Sequence, residues 1–358
     1  MQGGLFVALY DEQTLKLYLS KGVYGFLMKP VFTDEPSSRS KHFSILADYA
    51  CSREGADIFF FLKRKIVYGG KIYGNKDAGS FYINGLNSPL GRKTNANLFW
   101  DESSRYKKTE QEGVFKVNGA NKAQPFMFHF KQNENTGKYI ISDDLYFELG
   151  KYPYPLPSNS MQGMGFCTLT PGEVSTILKL IDKSKNRIDF NQYLSEINKQ
   201  GEEQLFESNL VDIKDNFINE AQLEFTLLAS LKPLCDFLSG DYILCRQVPI
   251  FPFKPMDMDR ADICLYNITD LIKDGTVPNV VIELKKGRAN FHAYEQVTRY
   301  LRWLERITTK DEFDKIQVFL IANSFVPIKR NKVDTTYEKK IKILSICLLY
   351  TSDAADEL

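Results

Sequence analysis

The stretch Val280-Val-Ile-Glu-Leu-Lys-Lys286 constrains the fold of this chain more than any other. Side chains alternate faces along a strand, so Val280, Ile282 and Leu284 share one face while Glu283 and Lys285 share the other. A strand this apolar belongs inside a sheet. Burying a charge there is costly unless it is paired or binds a metal. Phosphodiester hydrolysis supplies a reason for the pair: the carboxylate holds a divalent ion, and the lysine orients or activates the attacking water and offsets charge in the transition state.

One carboxylate is too few for this chemistry. The preceding apolar strand, Arg260-Ala-Asp-Ile-Cys-Leu265, carries Asp262, and the step from 262 to 283, 21 residues, suits two antiparallel strands joined by a turn near Asp274-Gly275. Asp262 and Glu283 then converge on one hard cation, Mg²⁺ or Mn²⁺. Asp259 competes for the same role, but Asp262 sits better within the strand. The surrounding pattern alternates helix and strand. Leu223, Leu227 and Leu231 stack on a helix over Ile218–Leu231. Strands are expected at Tyr242–Ile250, Arg260–Asn267 and Asn279–Lys285. A long helix follows at Asn290–Ile307, with Tyr294, Val297, Leu301 and Leu304 as its stripe, and then strands at Lys315–Ala322 and Lys340–Ile346. That order packs as a sheet flanked by helices. Gln296 lies on the long helix. Glu220 lies on the leading one, with Glu224 as the alternative one turn on.

Taken together, Glu220, Arg-Ala-Asp262, Glu283-Leu-Lys285 with Lys286-Gly287, and Gln296-Val-Thr-Arg-Tyr300 resemble the PD-(D/E)XK nucleases. The likeness is to the RecB-like group, with branched-DNA and mismatch endonucleases nearest, and it covers about 216–345. It implies an α/β/α fold with a mixed central sheet. It also implies metal binding by Asp262 and Glu283, assistance to the water by Lys285, support from Gln296 and a further contribution from Glu220. Ala261 stands where the family name has proline. Lys286, Arg288 and Arg299 are the expected phosphate contacts. Arg302 and Arg306 are as readily explained as partners in pairs along the helix face.

Residues 1–180 read as mostly β, with strands at Leu5–Leu9, Val23–Leu27, Asp57–Leu62, Lys65–Gly69, Lys71–Gly74 and Pro125–Phe130. Gly69-Gly70 marks a tight turn between two of them. Thr170 caps a helix opened by Pro171 and running over Gly172–Ile181. Phe59, Phe60 and Phe61 are core. Gly22-Val-Tyr-Gly-Phe26, His42-Phe-Ser-Ile-Leu46, Gly55–Lys63, Gly69–Tyr73, Gln162–Phe166 and Leu169-Thr-Pro-Gly-Glu173 resemble a PUA-like module of the EVE/YTH type. The resemblance implies a small curved β-barrel with helices. In some such modules a modified base flips into an aromatic pocket. The matching pocket residues here are Ser44, Trp100 and Tyr24.

At 358 residues the chain exceeds what one core usually organises. The expected class is α+β in two domains: the PUA-like module over 1–180, a helical linker over 181–215 that includes Asp189–Asn198, and the nuclease domain over 216–346. Residues 347–358 resemble translated sequencing-adapter sequence and are expected to be non-native. Lys and Arg number 46 against 45 Asp and Glu, so the chain is no polycation and must grip nucleic acid with a local basic surface. Six cysteines without a CxxC pair and three dispersed histidines argue against a zinc site, and scattered thiols fit a reducing, cytoplasmic setting. Apolar runs such as Ile58–Leu62 and Val318–Ala322 are too short to span a bilayer. The expected function is a metal-dependent DNA endonuclease serving modification-dependent restriction or phage defence. The alternatives are a nuclease acting on branched or mismatched DNA, and a nucleic-acid-binding protein with an inactive nuclease fold. RNA stays open as a substrate. A homodimer is expected if both strands are cut.

Overall fold

The computed structural model describes residues 3–29, 36–74, 79, 81–83, 107–110, 114–117, 119–124, 126–149, 166–190, 219–229, 231, 234, 237–251, 259–326 and 335–346. In chain order the N-terminal half contains β1 (Gly4–Ala8), α1 (Glu12–Lys21), β2 (Val23–Gly25), α2 (Pro36–Ala50), β3 (Asp57–Leu62), β4 (Lys65–Tyr73) and β5 (Tyr82–Ile83). There follow β6 (Lys107–Lys108), β7 (Val114–Val117), β8 (Ala120–Ala123), β9 (Phe126–Lys131), β10 (Tyr139–Ile141), α3 (Ser142–Leu149), β11 (Cys167–Leu169) and α4 (Pro171–Lys183). Eight of these strands form one sheet in the order β11-β1-β3-β4-β9-β2, with β10 on β4 and β5 on β9, while β6, β7 and β8 form a small antiparallel sheet. β1 and β3 pair in parallel, which demands a crossover, and α1, β2 and α2 provide it. The PUA-like resemblance implies a closed barrel. Among the described residues the pairings instead run as an open path that ends at β11 and β2.

Gly69-Gly70 is a bulge rather than the expected turn. β4 runs unbroken from Lys65 to Tyr73, and its register against β3 shifts between Ile58 and Phe59. Gly70 has φ +155°, and a Cβ there would lie 2.2 Å from the Lys131 carbonyl oxygen, so only glycine fits. The turn lies earlier, at Lys63 and Arg64, which take φ 48° and 67°. Neither residue type advertises a left-handed turn, so the sequence hides it.

The C-terminal sheet contains β12 (Tyr242–Phe251), β13 (Asp259–Asn267), β14 (Val280–Ala289), β15 (Gln317–Phe325) and β16 (Ile341–Ser345), in that spatial order. The first two pairings are antiparallel and the last two parallel, so the sheet is mixed. The helices are α5 (Glu220–Ala229), α6 (Phe291–Ile307) and the short α7 (Lys310–Lys315). Alternation sorts the side chains. Ile263, Leu265, Val280, Ile282 and Leu284 are buried with Leu223, Leu227 and Leu228 of α5. Cys264, Tyr266, Val281 and Val318 are buried with Tyr294, Val297, Leu301 and Leu304 of α6. The α6 stripe is the one read from its period, and the Asn290 side chain caps the helix by accepting from the His292 N–H at 3.0 Å. Each aliphatic side chain of that stripe contributes roughly 1.5–3 kcal/mol of burial.

The two sheets share a core. One buried cluster runs from Phe43, Leu46 and Phe60 to Leu223, Ile263 and Ile282. The Phe43 ring of α2 meets the Phe225 ring of α5 with centroids 6.1 Å apart. At the adjoining edges the Thr168 hydroxyl of β11 accepts from the Arg246 N–H at 2.8 Å and donates to the Arg246 carbonyl at 3.1 Å. Among the described residues no helix is long and apolar enough to cross a membrane. Residues 191–215 of the expected helical linker over 181–215, together with Trp100 and the tail 347–358, lie outside the described residues.

Candidate active site

The site is built by strand register. β13 pairs with β14 through Ile263↔Ile282, Cys264↔Val281 and Leu265↔Val280. One further step along this antiparallel register sets Asp262 opposite Glu283, and facing residues of an antiparallel pair share a face of the sheet. Lys285 follows two residues after Glu283 on that same face. Its Nζ lies 2.6 Å from Glu283 Oε1, with Glu283 1% exposed. The Leu284 N–H donates to Asp262 Oδ2 at 2.7 Å, tying the two strands together at the site.

Asp262 is held well above the usual carboxylate range, first by burial and then by the charges of Glu283 and Glu224, with Lys285 and the Leu284 N–H opposing. Burial also raises Glu283, against the pull of Lys285 and of the Tyr300 hydroxyl. Burial works against the charge on Lys285, but Glu283, Asp262 and Glu220 outweigh it, so its pKa is raised. Carboxylates that crowd one another in a buried place are the donors a hard cation relieves. Among the described residues no cluster of three acidic, His or Cys side chains forms a protein-only cage. Asp262 and Glu283 completed by water and substrate phosphate would be the kind of set Mg²⁺ takes. The residues present fit that ion.

Gln296 does not touch either carboxylate directly. Its Nε2 donates to the Tyr300 hydroxyl at 2.6 Å, and that hydroxyl lies 2.8 Å from the Arg260 carbonyl and 3.2 Å from Glu283 Oε2. Residues 296 and 300 are one helical turn apart, so α6 presents both to the sheet. Tyr300, quoted in the motif without a role, is therefore the direct neighbour of Glu283. Glu220 opens α5 and is exposed, and its Oε1 accepts from the Lys286 N–H at 3.4 Å. Its charge reaches both Glu283 and Lys285.

Glu224, the alternative to Glu220, lies deeper and has other work. Arg246 of β12 grips it with two bonds, Nε to Oε1 at 2.8 Å and Nη2 to Oε2 at 2.7 Å. Arg246 Nη1 also reaches Asp48 and the Ser44 carbonyl of α2. All three charged side chains are buried, and the arginine pKa rises well above its ordinary value because Glu224 and Asp48 outweigh the burial that opposes its charge. The signal for this network was present in the sequence: Arg246-Gln247 interrupts the apolar strand Tyr242–Ile250.

An open cleft beside the site is lined by Lys285, Arg288, Asn290, His292, Gln296 and Arg299. Arg288 and Lys286 are exposed on the end of β14 and Arg299 is half-buried on α6. Ser44 sits half-buried on α2 and contributes its carbonyl to Arg246. Tyr24 is 2% exposed, and its ring packs on those of Tyr18, Tyr49, Phe60, Phe128 and Phe166. It serves the N-terminal core and offers no free face to a base.

No family profile matches this chain, and no curated protein does. Solved structures similar to it include EndoMS in complex with double-stranded DNA, at 14% identity and TM-score 0.23, covering 90% of this chain and 97% of that one. A repair endonuclease from Pyrococcus abyssi is similar at 13% identity and TM-score 0.21, covering 90% of this chain and 98% of that one. EndoMS in its apo form is similar at 12% identity and TM-score 0.21, with the same coverage of 90% and 98%. Scores this low carry no argument about fold or function, so the geometry of the site must bear it.

Proposed function

We propose that the chain is a metal-dependent endonuclease acting on DNA. The observation that carries this reading is the meeting of Asp262, Glu283 and Lys285 on one face of a buried sheet. Asp262 and Glu283 would hold Mg²⁺ or Mn²⁺, which when bound polarises the phosphoryl oxygen and acidifies a water. Lys285, with its Nζ 2.6 Å from Glu283, would stand beside the phosphate and the attacking water, where a cation offsets developing charge. Tyr300, positioned by Gln296, holds the Glu283 carboxylate. Arg288 and Arg299 take neighbouring phosphates along the cleft, and Lys286, exposed at the end of β14, takes another beside it.

In this reading the N-terminal module, residues 1–180, positions DNA, and its choice of substrate serves modification-dependent restriction. The test is cleavage with Mg²⁺ or Mn²⁺ of unmodified, base-modified, mismatched and flap DNA side by side. Preference for modified duplex supports restriction. Equal cutting of unmodified duplex removes that part, and preference for the mismatch or flap replaces it with structure-specific cleavage.

A further inference from the structure

Gln247 lies between Arg246, paired with Ile263, and Val248, paired with Ala261, and so sits across from Asp262. Its φ is 52°. That left-handed conformation is unfavourable for a glutamine inside a strand. Strain of this kind persists only where the surroundings over-determine it, and it gathers at functional sites.

The side chain shows what the strain accompanies. Its Nε2 donates to Asp262 Oδ1 at 3.0 Å and to Glu224 Oε1 at 3.3 Å. Both acceptors are carboxylate oxygens, so the amide nitrogen, not its oxygen, must face them. Glu224 is in turn clamped by Arg246, and Arg246 by Asp48 of α2. Asp262 Oδ2 is already fixed by the Leu284 N–H, so Gln247 settles the remaining oxygen.

We propose that Gln247 is a positioning residue: it aims the Asp262 carboxylate at the cation, anchored through Glu224 and Arg246 to the N-terminal half. The inference rests on the nuclease reading above. Partners one step behind a metal ligand typically cost 10–100-fold in metal affinity or activity when removed. The test uses the full chain with two substitutions. Gln247→Met keeps length and removes the donors. Gln247→Gly removes the side chain and relieves the backbone, and its melting curve, read beside the cation affinity, separates loss of the fold from loss of the site.

In both variants Mn²⁺ affinity by calorimetry without DNA, and kcat for cleavage, should fall roughly tenfold or more, while KM for DNA stays within about twofold. Wild-type Mn²⁺ affinity and kcat in the well-folded glycine variant would overturn the role of Gln247 and leave the nuclease standing. A change confined to KM would overturn it too. A wild-type chain that neither binds Mn²⁺ nor cuts DNA would overturn the nuclease reading and this inference with it.

Discussion

Glu283 depends on two neighbours of different kinds, Lys285 beside it on the strand and Tyr300 facing it from α6. Tyr300→Phe deletes one buried hydroxyl and leaves the Gln296 amide and the Arg260 carbonyl without it. Stability should fall by about 1–3 kcal/mol in urea titration, and cleavage should drop while the protein stays folded. Unchanged stability and rate would show that the hydroxyl is idle. At this scale the sequence was readable where chemistry is written in one strand: the spacing of Glu283 and Lys285, and the apolar setting of Asp262, already place three side chains together. Arg246-Gln247 showed only as a polar break in an apolar strand, and the roles of these two and of Tyr300 were not readable, because they depend on which helix and which strand face the site.

Elements carry the next level. The site stands on β13 and β14, and these are held from one side by α5 and from the other by α6. Arg246 pins β12 to α5 and to α2 through Glu224 and Asp48. Arg246→Met would leave two carboxylates buried without their cation. A loss of roughly 3–5 kcal/mol in chemical denaturation is expected, against under 1 kcal/mol if the network were incidental. Gly70→Ala should also destabilise, because its Cβ would strike the Lys131 carbonyl. Most C-terminal elements were legible from period, and the α4 start was legible from Thr170-Pro171, where the capping box with Glu173 is present. Gly69-Gly70 misled because glycine pairs serve bulges as well as turns, and only the cross-strand register tells them apart.

At the scale of the molecule, the two sheets meet along β11 and β12 and share a core, so the C-terminal sheet and the N-terminal sheet should unfold together. Glu173 lies at this seam, at the start of α4, where a Cβ on Gly172 would meet Thr276 at 2.3 Å. Burial pushes its carboxyl up to about 7, against the two Thr170 hydrogen bonds that lower it. A carboxyl with a raised folded pKa favours the fold while protonated. Its contribution is present below the unfolded value of about 4.5 and is lost as pH rises toward 7, to the extent of about 3 kcal/mol. Stability measured from pH 4.5 to 7.5 should therefore show this decline, and Glu173→Gln should flatten it. An unaltered profile in the variant would assign the slope elsewhere. The central claim is tested most directly by incubating the full chain and Lys285→Ala with plasmid DNA, with and without Mg²⁺ or Mn²⁺. Cutting by the wild type only with the metal, reduced about 100-fold or more in the folded variant, is the predicted result. Cutting that persists in Lys285→Ala, or no metal-dependent cutting by the wild type on any DNA, would contradict it.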